Sequence, residues 1–106
     1  MRTAIAATDN GPEAKVDSRF GRCRYFIICD DATGSVEYIP NPFRDAEESA
    51  GAHAVKLLVS KGVTRIISGE FGHRIKTLLD SHKIQMIVPG NLERKTDEII
   101  EQLLNK

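Results

Sequence analysis

The residues best suited to chemistry lie in one short stretch, Asp17-Ser18-Arg19-Phe20-Gly21-Arg22-Cys23-Arg24. No hydrophobic core needs three guanidinium groups, a glycine and a thiol in such close succession. Arginines beside free backbone N–H groups bind anions through charge-assisted hydrogen bonds. A thiol between Arg22 and Arg24 has two readings of equal weight. The cations can favour a thiolate that ligates metal or reacts, or the side chain can be a half-buried small hydrophobe. The stretch predicts a loop that holds an anionic, metal-containing ligand. Arg19, Phe20, Gly21 and Arg22 are the candidate contacts and Cys23 the candidate donor.

Further candidates lie downstream. Gly69-Glu70-Phe71-Gly72-His73 follows an apolar run and opens a helical one. Gly69 and Gly72 would allow positive φ and let a ligand reach backbone N–H groups at the positive end of a helix. The plainer reading is a tight turn that binds nothing. His53 begins a helix among small residues, in Ser49-Ala50-Gly51-Ala52-His53, and imidazole is the commonest metal donor. The alternative is a histidine facing water. His73 is a comparable, weaker candidate, and His82 reads as a favourable charge at a helix C-terminus. Cys29 sits inside an apolar strand and reads as core. Ser68, Glu70 and His73 are too close in sequence for a catalytic relay, and no Gly-x-x-x-x-Gly-Lys-Ser/Thr pattern supports nucleotide hydrolysis. With no paired acid and base, the expectation is a protein that is not an enzyme.

Bulk properties narrow the partners. At 106 residues the chain reads as one domain, 1–106, able to bury a core without disulfides. Fifteen basic residues balance fifteen acidic ones, which argues against a nucleic-acid coat and leaves room for a local basic site. The apolar fraction of 41% is that of a folded domain. Nothing approaches the ~20 apolar residues of a membrane span, and the apolar run at the start is too short for a signal peptide. The expectation is a cytoplasmic protein with both cysteines reduced, and no Cys-x-x-Cys zinc signature.

The elements that must position these residues follow from pattern. Residues 2–8 form a short apolar run ending at Asp9-Asn10-Gly11-Pro12, a buried strand and a turn. Residues 25–30 and 35–40 read as a hairpin about Asp31-Ala32-Thr33-Gly34, with Val36, Tyr38 and Pro40 on one face, and Asn41-Pro42-Phe43 closes it. Ala50, Ala54, Leu57 and Leu58 recur at helical spacing until Lys61-Gly62. Residues 63–68 form a strand, Ile75, Leu78, Leu79 and His82 a helical stripe, and residues 85–88 a last strand. Ile99, Ile100, Leu103 and Leu104 mark a final helix, with Thr96 as its expected N-cap.

The order is βββαβαβα, a mixed five-stranded sheet covered by helices, close to a ribonuclease H-like arrangement. Strand–helix–strand units impose parallel pairing. If the second strand runs antiparallel to the first and third, the loops after strands one, three, four and five emerge at one edge. That edge would carry Cys23, the approach to His53, the 69–73 segment and Gly90, beside helix N-termini where open α/β sheets bind ligands.

These residues resemble a known family. Ala4-Ile5-Ala6-Ala7-Thr8-Asp9, Val16-Asp17-Ser18-Arg19-Phe20-Gly21-Arg22 and Tyr25-Phe26-Ile27-Ile28 are similar to the opening of the dinitrogenase iron–molybdenum cofactor biosynthesis domain. Asn41-Pro42, Gly51-Ala52-His53-Ala54, Gly62-Val63, the 69–72 segment and Ile84 extend the resemblance over nearly the whole chain. It implies a ribonuclease H-like fold without that enzyme's acidic site, and a carrier of an anionic metal–sulfur cluster. Some members carry or insert the iron–molybdenum cofactor, and a related small protein binds a molybdenum–copper sulfide cluster. The cluster can be absent from purified protein, and the partners implied are cluster donors and acceptors. This chain departs from the pattern: Arg19 stands where the family often has histidine, the histidine- and glycine-rich loop before the first helix is reduced to Gly51 and His53, and Glu70-Phe71 replace small residues. A ligand differing from the nitrogenase cofactor is expected. The alternatives are a small-anion or nucleotide-binding regulatory domain without metal, and a protein-interaction module, monomeric or weakly dimeric through a sheet edge.

Overall fold

The computed structural model describes residues 1–105. The chain runs β1 (Arg2–Ala7), β2 (Tyr25–Asp30), β3 (Ser35–Pro40), α1 (Ala50–Ser60), β4 (Arg65–Ile67), α2 (His73–Ser81), β5 (Gln85–Ile87) and α3 (Thr96–Leu104). The five strands form one sheet in the order β3-β2-β1-β4-β5. β2 is antiparallel to β1 and β3, whereas β4 is parallel to β1 and β5 to β4. This is the mixed ribonuclease H-like arrangement that the element order predicts.

β1 lies at the centre, and its residues from Thr3 to Ala7 are buried. Its alternation sorts two cores. Ala4 and Ala6, with Phe26, Ile28 and Ile66, face Ala54, Val55 and Leu58 of α1 and Leu79 of α2. Ile5 and Ala7, with Ile27, Cys29 and Ile67, face Ile99 of α3, with Leu103 at the margin. Two helices therefore cover one face and one the other. The alanines of β1 let α1 and α2 pack close to the sheet, since small side chains leave no wide gap to fill.

The strands after the helices are shorter than their apolar runs. β4 holds three residues because Val63 closes the end of α1, donating its N–H to the Leu58 carbonyl at 3.1 Å. Thr96 is the first residue of α3, one position inside the helix rather than its cap. It is 1% exposed, and its N–H donates to the Ala14 carbonyl at 2.8 Å. Leu57 is only partly buried and Val55 takes its place in the core. His82 caps α2 and is exposed, outside the apolar stripe.

Antiparallel β2 sends the connections after β1, β3, β4 and β5 to one edge of the sheet. Residues 8–16 fold back on β1, with Val16 bridging Ala7 and Lys15 bridging Lys95. That return positions residues 17–24 over the ends of β1 and β4. Among the described residues, no helix is long and apolar enough to cross a membrane.

Candidate anion-binding site

Residues 17–24 form a loop sorted into an inside and an outside. Phe20 is 3% exposed, its ring 5.7 Å from that of Phe26 and 5.9 Å from that of Phe71. Cys23 is fully buried in the same cluster. Ser18, Arg19, Arg22 and Arg24 are exposed. The aromatic ring and the thiol thus anchor the loop, and the arginines project from it.

This sorting corrects two expectations. Phe20 is a core residue rather than a ligand contact. Cys23 takes the second of its two readings: burial, with the Asp17 carboxylate adding to it, pushes its thiol up to about 12. The neighbouring arginines do not offset this, because their charged heads point into water while the sulfur points inward. The Ala7 backbone and the Asn41 amide, the latter 3.9 Å from Sγ, hydrogen-bond the sulfur but do not outweigh its burial. Cys29 is a core thiol, as expected, pushed by burial to about 11.

Each arginine has a different partner. The Arg19 Nε lies 3.4 Å from Oδ1 of Asp17, which also accepts the Arg19 N–H at 2.8 Å. Arg24 lies 3.9 Å from Asp9. Arg22 donates to a neutral group, the Arg44 carbonyl at 3.1 Å, leaving its positive charge uncompensated by any carboxylate among the described residues.

The loop meets α1 backbone to backbone. A Cβ on Gly21 would fall 2.6 Å from the Gly51 nitrogen and 2.7 Å from its Cα, distances that no side chain tolerates. A Cβ on Gly51 would in turn strike Ile75 of α2 at 2.6 Å. These two glycines bring the loop and both helix starts together around a cleft of about 440 Å³, lined by Gly21, Arg22, Ser49, Ala50, Gly51, Ala52, Arg74 and Ile75.

The electrostatics of the cleft are one-sided. Its lining has two arginines and no carboxylate. Neither α1 nor α2 has an acidic residue in its first turn or a side chain hydrogen-bonded as its cap. The first N–H groups of a helix lack intrahelical partners and carry the positive end of its dipole, so an anion is favoured there. Ser49, at the start of α1, holds φ 59° and ψ 28°, a left-handed conformation costing about 1–2 kcal/mol in a non-glycine residue. Arg74 in the first turn of α2 is unfavourable against the same dipole unless an anion lies between. That placement is a signal the sequence carried and the motif reading missed.

The other candidates fall around this cleft in different ways. Gly69 does not offer its N–H to a ligand, because it donates to the Asp17 carbonyl at 2.9 Å. Its missing side chain serves packing: a Cβ would lie 2.7 Å from the Cα of Ser18. Gly72 is exposed at the start of α2 with φ −60°, so the 69–72 segment needs no positive φ. His73 is the first residue of α2 and is exposed. His53, also exposed, stacks on Phe43 with ring centres 5.1 Å apart. Among the described residues, no three His, Cys, Asp or Glu side chains gather where they could hold a metal ion. Cys23, His53 and His73 therefore do not assemble into one ligand set.

Comparison with known proteins agrees with this fold. The family model described as dinitrogenase iron-molybdenum cofactor matches residues 1–106. The apo form of the orange protein from Desulfovibrio gigas is similar with a TM-score of 0.77 at 28% identity, over 96% of this chain and 86% of that one. A putative NifB protein from Thermotoga is similar with a TM-score of 0.71 at 31% identity, over 94% and 87%. A third solved structure, at 22% identity and TM-score 0.79, shares the fold. No curated protein matches the chain.

Proposed function

The chain belongs to the dinitrogenase iron-molybdenum cofactor family, and from that premise we propose that it is a non-catalytic carrier of an anionic metal–sulfur cluster. The observation that supports this most is the cleft at the start of α1, with two guanidinium groups and no carboxylate in its lining. A metal–sulfide anion of the molybdenum–copper or iron–molybdenum type matches that charge and is large enough to need an open cleft rather than a closed cage.

The cargo is held chiefly by charge and shape. Arg22 and Arg74 neutralise it from two sides, and the first N–H groups of α1 donate to its sulfur or oxygen atoms. Arg19 and Gly72 extend the same edge. His53 and His73, both exposed, are the donors such a cluster could reach without unfolding anything, whereas Cys23 would have to leave the core. Holding a cluster without a set of thiolate ligands suits a carrier, because the cargo can pass intact to an acceptor protein. The proposed setting is the cytoplasm, with cluster donor and acceptor proteins as partners and neither nucleic acid nor membrane.

Reconstitution with tetrathiomolybdate and copper or iron, followed by desalting and metal analysis, tests the reading. Wild type and Cys23→Ala are expected to retain equal metal, and a variant carrying both Arg22→Ala and Arg74→Ala to retain little. Loss of metal in Cys23→Ala at unchanged stability would return the thiol to the ligand set and overturn the charge-based account.

A further inference from the structure

Asn41 is a buried polar residue, 4% exposed, at the end of β3. Its carboxamide makes three hydrogen bonds to the backbone. Nδ2 donates to the Gly21 carbonyl at 3.0 Å and to the Cys23 carbonyl at 2.9 Å, and Oδ1 accepts the Phe43 N–H at 3.0 Å. Its own N–H donates to the Arg24 carbonyl at 3.0 Å. One side chain thus ties the 17–24 loop to the segment after β3, at the point where Gly21 presses on Gly51. That segment also supplies the Arg44 carbonyl that accepts from the Arg22 guanidinium.

The bond to Gly21 has a directional consequence. In a trans peptide the carbonyl of one residue and the N–H of the next point in opposite directions, and the chain has no cis peptide among its described residues. The Gly21 carbonyl is drawn inward to Asn41, so the Arg22 N–H is turned away from Asn41. It meets no protein acceptor among the described residues, while Gly21 and Arg22 both line the cleft. We propose that Asn41 is the positioning residue of the cleft, and that the Arg22 backbone N–H it orients is a donor to the bound anion alongside the Arg22 guanidinium.

The proposal rests on the anion-cleft reading and adds a role that only a carboxamide can fill. Aspartate has the same shape but would set a carboxylate against two carbonyl oxygens. Serine is too short to reach both carbonyls. Asn41→Asp and Asn41→Ser should therefore weaken the anion through Arg22 without touching it.

Titration with tetrathiomolybdate tests this by calorimetry and by following backbone amides in the ¹⁵N-labelled wild type. The expected result is a downfield shift of the Arg22 amide proton on binding. Each Asn41 variant that stays folded should bind about tenfold more weakly, the loss of one hydrogen bond to a charged group. If the wild type does not bind tetrathiomolybdate, the cleft reading itself falls. If it binds but the Arg22 amide does not respond, the proposal alone is overturned, and this readout stands even if neither variant folds. Unchanged affinity in a folded Asn41 variant overturns it too.

Discussion

The two ends of helices α1 and α2 are built to different rules. At the C-terminal ends every exposed carbonyl problem is solved in the same way. After α1, Gly62 at φ 75° donates to the Val59 carbonyl and Val63 to that of Leu58. After α2, Lys83 at φ 57° donates to Asp80 and Ile84 to Leu79. Both are Schellman closures, which satisfy the last carbonyls and stop the helix. At the N-terminal ends neither helix has a side-chain cap or an acidic first turn, and arginines stand nearby. α3, which starts outside the cleft, carries Asp97 and Glu98 in its first turn. No helix has a side-chain cap, so what sets the two starts at the cleft apart is their lack of first-turn carboxylates.

The same contrast holds for ion pairs. Away from the cleft, Arg2 lies 3.5 Å from Asp30 and 3.9 Å from Glu37, Lys61 3.6 Å from Glu37, and the N-terminal ammonium 2.8 Å from Asp31. These cations are each paired with a carboxylate within the molecule. At the cleft, Arg22 finds only a carbonyl. A surface that leaves cations without carboxylates next to bare helix dipoles is complementary to an anion from outside.

The largest expected effect comes from the anchor that holds the cleft loop. Phe20→Ala removes a ring packed between Phe26 and Phe71 and should lower stability by about 3–5 kcal/mol in urea melts. A loss under about 1 kcal/mol would mean that Phe20 is not a core anchor, and would reopen its reading as a ligand contact. Gly21→Ala comes next. The new methyl meets the Gly51 backbone, which cannot rotate aside, so a cost of about 1–3 kcal/mol and loss of anion binding are expected together.

A smaller effect compares the two thiols, one near the cleft and one in β2 opposite Thr3. In the folded chain Cys23 ionises at about 12 and Cys29 at about 11, against 9.0 for an unperturbed thiol. Below the unperturbed value both states keep their protons and the thiols' contribution is whole. As pH rises above it, the unfolded chain ionises first and stability falls, Cys29's share ending near 11 and Cys23's near 12. Denaturant melts across this range should show the decline, and Cys23→Ala should reduce its slope. Rapid alkylation of native Cys23 near neutral pH, with Cys29 protected, would break the equivalence of the two thiols. Smallest of all, Lys83→Gly should stabilise by about 0.5–1 kcal/mol by relieving a left-handed lysine, leaving anion affinity unchanged.

Much of this was legible in the residue pattern. The hairpin strands match their apolar and turn signals at both ends, Tyr25–Asp30 and Ser35–Pro40, because an antiparallel hairpin is specified locally by its own turn. The shared loop edge followed from strand sense alone. What the pattern did not carry is which way a loop residue points. Residues 17–24 have no period, so nothing in their order separates the inward Phe20 and Cys23 from the outward arginines. Gly69 is ambiguous for a related reason: a glycine needed for close approach to Ser18 looks, in sequence, like one that bares its N–H. Asn41 read as a strand stop, since its two carbonyl partners lie about twenty positions away. Arg74 was the one missed residue with a local cue, a cation where a helix start favours an anion.

The most direct test of the central claim sets the two ends against each other in one calorimetric titration with tetrathiomolybdate. Arg22→Ala and Arg74→Ala should each weaken binding by about tenfold or more, the worth of a charged hydrogen bond, with melting temperatures unchanged. Lys61→Ala, which removes a cation from the ion-paired end, should leave affinity as it is in the wild type. Equal affinity in all three variants, or a loss confined to Lys61→Ala, would contradict the assignment of the cleft.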